Sequence, residues 1–291
     1  MRIFIRKLLT PLFSVQTKRK VKRWEANFRK KIAGKLPAIS KEKFRKIMTD
    51  RLLIQPGDHL FVHGALTMMN VEFSNKDALE ILLDIVGESG SVTVPTFPIR
   101  SSIETMTDGK TFDVKKTRSG MGALAEAVRQ HPSAIRSVHP IKSVASVGVL
   151  PDDVFNSHHL SKSGFDKNSP FVKMLEFSPK IIGIGVPMRY VSYVHVAEDI
   201  DLHSFPKKTN SDHIYNKICI LASGETVDVE TSIHDMTVVT AANPEKFVRR
   251  FLNEKHWQIY NNYITPFFSL EALPLINELK EQARRGNTIY D

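Results

Sequence analysis

One cysteine occurs in 291 residues, Cys219 in the apolar run KICIL. No intrachain disulfide and no cysteine-based zinc site can therefore form, a usage that fits a reducing cytoplasm. A free cysteine in such a run reads as a buried strand thiol. The sequence also lacks a Gly-x-Gly-x-x-Gly after a strand and a phosphate-binding Gly-Lys-Ser/Thr loop, which removes the two commonest nucleotide fingerprints. It has no Gly-x-Ser-x-Gly elbow of the serine hydrolases. The N-terminal apolar run is broken by Arg6, Lys7 and Pro11, so it is too short to span a bilayer, and no small-residue cleavage site follows it. Internal repeats, low-complexity tracts and Ser/Pro/Gly linkers are missing too, so a single domain is the economical reading.

What the chain does have is core-forming capacity and an uneven charge. Hydrophobic residues make up 42% of it, enough for a sizeable core, and the formal net charge is +10. Twelve of the 41 Lys/Arg and one of the 31 acids fall in residues 1–36, so the remainder is close to neutral. The basicity thus belongs to an N-terminal arm, residues 1–36, ahead of a domain spanning 37–291. In the arm, Ile3, Phe4, Ile5, Leu8, Leu9, Leu12 and Phe13 precede a Lys/Arg cluster. That pattern suits peripheral contact with an anionic membrane surface, and equally a solvated helix packed on its own domain. No aromatic stacking platform accompanies the charge, so no nucleic-acid partner is expected. Localisation is expected to be cytoplasmic, with the arm at the inner membrane face if it binds there.

Strand-like and helix-like segments alternate along residues 40–200. AISKEKFRKIMTDRLLI reads as a helix introduced by Ser40, QPGDHLFVHGAL as a turn feeding a strand, and NKDALEILLDIVGESG as an amphipathic helix ended by glycine. SVTVPTFP is a short strand, MGALAEAVRQHP a helix, IKSVASVGVL an alternating strand, SPFVKMLEF a helix, and KIIGIGV a strand buried on both faces. This alternation predicts an α/β fold, a three-layer αβα sandwich around a central mixed sheet. Further on, NKICILASGETVDVE predicts a hairpin turning at Ser223-Gly224, and SLEALPLINELKEQARRG a helix.

Three constellations could carry chemistry. If VHVAEDIDLH begins a helix, Glu198 and Asp199 stand at i+3 and i+4 from His195, where a carboxylate raises the proton affinity of the imidazole and fixes its tautomer. The same pattern occurs on ordinary helix surfaces, and a metal set of His195, Glu198 and His203 is conceivable although its spacing matches no zincin motif. In RSVHPIKSVASVG, Arg136, Ser137, Lys142 and Ser143 bring two cations and two hydroxyls into one segment, which suits phosphate contacts or an ordinary turn before a strand. In GDHLFVHGAL, a strand ends in His63, Gly64 and Ala65, the end of an α/β sheet at which ligands bind; His63 reads equally as a satisfied strand-end histidine.

Taken together these segments resemble the aminoglycoside 3-N-acetyltransferase family. GDHLFVHGAL is similar to its Gly-Asp-x-Leu-x-Val-His-Ser-Ser-Leu stretch and TVPTFP to its strand ending in Pro-Thr-Phe. FDVKKTRSGMGALAEAVRQHPSAIRSVHPIKSVASVG resembles its Phe-Asp…Thr-Pro-Ser-x-Met-Gly…Arg-Ser-x-His-Pro…Ser-x-Ala-x-x-Gly block. SPFVKMLEFSPKIIGIGV resembles Ser-Pro…Leu…Gly-Lys…Leu-Gly-Val, and YVHVAED resembles Thr-x-x-His-x-Ala-Glu. Five blocks in order, over about residues 41–240, are specific as a set. The resemblance implies acetyl-CoA as co-substrate and no metal. It implies His195 as general base with Glu198 beside it, and a further acid for which Asp235 is the nearest positional match and Glu230 the reserve. It places His63, Gly64, Ala65, Thr117, Arg118, Arg136, Ser137 and Ser143 along the coenzyme A channel.

Two departures stand out. The family's Val-His-Ser-Ser is Val-His-Gly-Ala here, which loses two hydroxyls, and its Thr-Pro-Ser is Thr117-Arg118-Ser119, which adds a cation. Lys207 and Lys208 follow the His195 segment closely, and paired lysines suit an anionic acceptor. The expected substrate is therefore a nucleotide-linked amino sugar for cell-envelope polysaccharide, with an aminoglycoside antibiotic as the alternative. A metal-dependent hydrolase or a non-catalytic coenzyme A-binding protein are the readings from other classes.

Overall fold

The computed structural model describes residues 27–28, 31–200 and 205–291. Most of the expected basic arm and His203 lie outside the described residues. Among those described, no helix is long and apolar enough to cross a membrane.

Seven strands form one mixed sheet. They are β1 (His59–Gly64), β2 (Ser91–Pro95), β4 (Ile135–Arg136), β5 (Val144–Gly148), β6 (Lys180–Ile184), β9 (Trp257–Asn262) and β10 (Thr265–Glu271), in the order β4-β5-β2-β1-β6-β10-β9. β1 runs parallel to both β2 and β6, while the outer pairings are antiparallel. A second, small sheet contains β3 (Phe112–Asp113), β7 (Tyr215–Ile220) and β8 (Thr226–Thr231).

The central strands separate two apolar layers because alternate side chains point to opposite faces. Leu60 and Val62 of β1, Ile182 and Ile184 of β6, and Phe267 of β10 enter one core, which is closed by the helices Lys41–Lys46, Asn75–Val86 and Ala123–Arg129. Phe61, Ile181, Phe268 and Leu270 enter the other, which is closed by Pro170–Lys173, Val196–Ile200, Pro244–Phe251 and Ala272–Arg284. This is the expected αβα sandwich, and strands buried on both faces explain runs such as KIIGI. At Gly183 the backbone of β6 meets the Phe268 ring, where an added Cβ would come within 2.0 Å, so only glycine fits.

Local signals act as their chemistry dictates. Ser40 caps its helix by accepting from the Lys43 N–H, though the regular turns end at Lys46 and a π turn, Ile47–Arg51, follows. Ser74 and Asp77 form a capping box on Asn75–Val86, and Gly87 ends it with φ of +66°. The β7–β8 hairpin turns through Ser223-Gly224 as expected. The β9–β10 hairpin was not expected, and the segment SLE, assigned from sequence to the last helix, is the end of β10.

Candidate active site

The C-terminal end of β6 positions the central histidine. Past Ile184 the chain makes two 3-10 turns, Met188–Tyr190 and Ser192–His195, and then the short helix Val196–Ile200. Tyr193 anchors this path: its ring lies edge-on against Phe61 and Phe171, with centroids 4.9 and 5.5 Å away. The Ser192 N–H points at His63 Nε2, at 3.4 Å, which ties the turn to the end of β1. His195 consequently sits at the helix start with its side chain 17% exposed. The ring is neither walled off nor free in solvent.

His195 Nδ1 lies 3.1 Å from Glu198 Oε2, and the other carboxylate oxygen accepts a 2.6 Å hydrogen bond from the Tyr290 hydroxyl. Glu198 is buried, yet both its oxygens are thereby satisfied. An ionised Glu198 makes Nδ1 the protonated nitrogen and leaves the Nε2 lone pair available as a base. Burial first, and the Glu198 charge second, hold the Tyr290 hydroxyl well above its usual pKa, so it stays a donor. Tyr290 carried no motif, and only its placement reveals it.

Asp199, expected on the same side as Glu198, turns instead to Asn210, whose Nδ2 donates to Oδ1 at 2.7 Å. Its Oδ2 is sealed without a partner, and burial pushes its pKa up to about 6. Lys142, read from sequence as a phosphate contact, is 9% exposed with its ammonium over the rings of Phe97 and Phe165, 5.1 and 5.0 Å from their centroids. Burial lowers its pKa to about 8, and the charges of Asp199 and Glu198 oppose that shift. Gly164 makes this placement possible, since a Cβ there would fall 2.4 Å from Lys142 Cγ.

The acid partner expected from the ETSIHDM segment is replaced by its neighbour. Asp235 is part-exposed and caps the helix Met236–Val239 by accepting from the Thr237 N–H, and Glu230 pairs with Lys162 at 2.8 Å on the surface. His234, one residue earlier, meets the site: its ring centroid lies 4.3 Å from that of His195, and it stacks on Phe165 at 5.6 Å. Burial keeps His234 neutral. A histidine beside an acid was visible in the sequence; which of the two faces inward depends on how β8 leaves the small sheet.

The residues expected along the coenzyme channel divide into two groups. His63 is buried at the end of β1, with burial lowering its pKa to about 3, while Gly64 and Ala65 are part-exposed there. Arg118 is exposed, 3.8 Å from Glu126. Thr117 is half-buried and uses its hydroxyl to accept from the Asp113 N–H. Arg136, in contrast, gives five hydrogen bonds to Thr96, Val114, Thr117 and Ser143, which uses every guanidinium N–H and leaves none for a phosphate. Ser143 bonds Thr96, and Ser137 bonds the Val144 N–H and His158. These three hold the β4–β5 segment together. Next to Thr117 in the chain, Lys115, Lys116 and Arg118 are exposed.

Among the described residues, His195, Glu198 and His234 converge with metal-ligand spacing, one ligand atom from each lying within 4.8 Å of the others. A cavity of about 550 Å³ lies elsewhere, between Leu252–His256 and the outer face of Ala272–Arg284, and shares no residue with this cluster.

Comparison with known proteins bears on the family and the fold. The sequence model described as aminoglycoside 3-N-acetyltransferase matches residues 61–272. The aminoglycoside N(3)-acetyltransferase III of Acinetobacter baumannii is 30% identical over 173 residues, covering 54% of this chain and 60% of the relative. The type VII protein of Streptomyces paromomycinus is 24% identical over 213 residues, covering 66% and 72%. The chain thus spans about 60% of the length of the first of these relatives. Among solved structures, aminoglycoside acetyltransferase AAC(3)-Xa superposes with a TM-score of 0.73 at 20% identity, over 92% of this chain and 99% of that one. AAC-IIIb in its binary complex with CoASH gives 0.71 at 19%, over 87% and 98%. At these identities the two structures establish the fold.

Proposed function

The chain belongs to the aminoglycoside 3-N-acetyltransferase family, and from that premise we propose that it transfers the acetyl group of acetyl-CoA to a primary amine of an aminoglycoside, with His195 as general base. The observation that carries this reading is the chain of hydrogen bonds from Tyr290 through Glu198 to a part-exposed His195.

A primary amine of ordinary pKa is mostly protonated near neutrality, and only its neutral form attacks a thioester. His195 Nε2 removes the ammonium proton, Glu198 steadies the imidazolium through Nδ1–H, and Tyr290 holds the carboxylate in place. The neutral amine then forms the new C–N bond as the C–S bond breaks; the nitrogen's second proton goes to the departing thiolate, so the coenzyme leaves as a thiol, and the first passes from His195 to solvent. No acyl-enzyme is required. Cys219, the one thiol, is buried in β7 with its pKa pushed up to about 12 by burial.

The preference for a nucleotide-linked amino sugar loses its support. It rested on the paired Lys207 and Lys208 together with the basic N-terminal arm, most of which lies outside the described residues, and Lys207 pairs with Asp291 at 2.8 Å while Lys208 pairs with Asp212. The curated relatives act on aminoglycosides by name. The buried carboxylates Glu198 and Asp199 also suit a cationic acceptor.

Acetyl transfer to an aminoglycoside and to a nucleotide-linked amino sugar, followed side by side as coenzyme A release, tests the reading. Turnover of the aminoglycoside, lost by about 10² to 10⁴-fold in His195→Ala, is expected. Turnover of the nucleotide sugar alone would overturn the substrate, and full activity in His195→Ala would overturn the base.

A further inference from the structure

We propose that His195, Glu198 and His234 form a binding site for a borderline divalent cation of the zinc class, and that the cation and the acetyl-transfer reaction exclude one another. Three observations converge. One ligand atom from each residue lies within 4.8 Å of the other two. His234 is 9% exposed and its Nε2 is sealed without any hydrogen-bond partner, although its ring lies against that of His195. A buried ring nitrogen in this condition requires an explanation, and the placing of this ring in one cluster with a second imidazole and a carboxylate supplies one.

The donor set selects the ion. Two imidazoles and one carboxylate are the ligands of three-coordinate protein sites for zinc that keep a fourth position open. Magnesium and calcium prefer all-oxygen shells and gain little here. Bonds of about 2.0–2.1 Å in a tetrahedron place ligand atoms roughly 3.3 Å apart. Glu198 Oε2 and His195 Nδ1 already stand at 3.1 Å, so the closure falls mainly on His234. Among the described residues, the charged groups near the cluster are Asp199 and Lys142. They offset one another, and Glu198 leaves the surroundings with one net negative charge for the cation.

Binding would disable the base. Metal ligation takes over either the Nε2 lone pair that accepts the substrate proton or the Glu198 carboxylate that orients the ring. The site itself does not depend on the acetyl-transfer reading; the exclusion rests on it.

The test uses the full chain, stripped with a chelator and dialysed, then titrated with zinc chloride by calorimetry and with cobalt chloride by visible absorption. One ion per chain is expected for the parent, with saturable binding lost in His234→Ala and in His195→Ala and kept in His213→Ala, which removes an exposed histidine outside the cluster. Using two variants guards against one that fails to fold, and a thermal melt checks each. Equal binding by the parent and both cluster variants, or no binding by the parent, would overturn the site. Zinc should also suppress acetyl transfer and a chelator restore it. His234-dependent binding that leaves the metal-free rate unchanged would overturn the exclusion. If the metal-free protein acetylates no amine, the proposed function fails while the binding titration still decides the site.

Discussion

The sheet interior and the histidine cluster lie one residue apart in the chain and obey opposite rules. Around Phe61 and Tyr193, rings meet at 4.9 Å and the neighbours are mostly apolar or aromatic, with His63 and the unpartnered Tyr193 hydroxyl as the polar exceptions. Around His195 stand Glu198, His234, Lys142 and Asp199, and two of their buried polar atoms, His234 Nε2 and Asp199 Oδ2, have no hydrogen-bond partner. Unpaired buried polar groups cost free energy. The apolar sheet supplies the stability that lets the adjoining cluster hold groups in states water would not allow. The comparison predicts that changes in the first region alter folding and changes in the second alter chemistry.

Phe61→Ala should show the largest effect. The side chain is fully buried between β1 and the Phe171 and Tyr193 rings, and truncating such a ring costs about 3–5 kcal/mol. A denaturant melt measures it. A loss below about 1 kcal/mol would mean that the interior is less tightly packed than its contacts state.

Lys142→Met reverses the sign. Because burial lowers the folded pKa of Lys142 to about 8, the unfolded chain binds the more protons between that value and the usual 10.5, so parent stability rises with pH across this window. At pH 7 the protonated ammonium is a liability, and the apolar variant should be more stable by on the order of 2 kcal/mol, with the gap closing toward pH 10. Melts at pH 7, 8.5 and 10 would reveal this convergence. A constant gap would assign the effect to packing instead.

Tyr290→Phe should act least on the fold and selectively on rate. Removing the hydroxyl frees Glu198 Oε1, which costs on the order of 1 kcal/mol and therefore several-fold in kcat, with little change in the KM for coenzyme. An equal loss in KM would place Tyr290 in binding rather than in positioning Glu198.

How much could be read in advance follows the same division. Period-2 and continuous apolar runs such as KIIGI and SVTVP carry their strand assignment in the side chains themselves, and Ser74, Asp77 and Gly87 announce their helix by local hydrogen bonding. The β9–β10 hairpin was hidden because Pro266 sits within β10 and the following helix shares its apolar content. At the site, His195 and Glu198 are three residues apart, so helical spacing alone relates them. Tyr290 and His234 reach it from 92 and 39 positions further along, and no local rule encodes such a meeting. Arg136 misled for another reason. A guanidinium in a polar segment looks like an anion site until its five acceptors are found inside the protein.

One imidazole follows β6 of the large sheet and the other follows β8 of the small one, so the two rings straddle a seam between two separately hydrogen-bonded frameworks. Replacements in the three-stranded piece can therefore shift the His234 ring against His195 while the seven-stranded sheet keeps its own ladder intact.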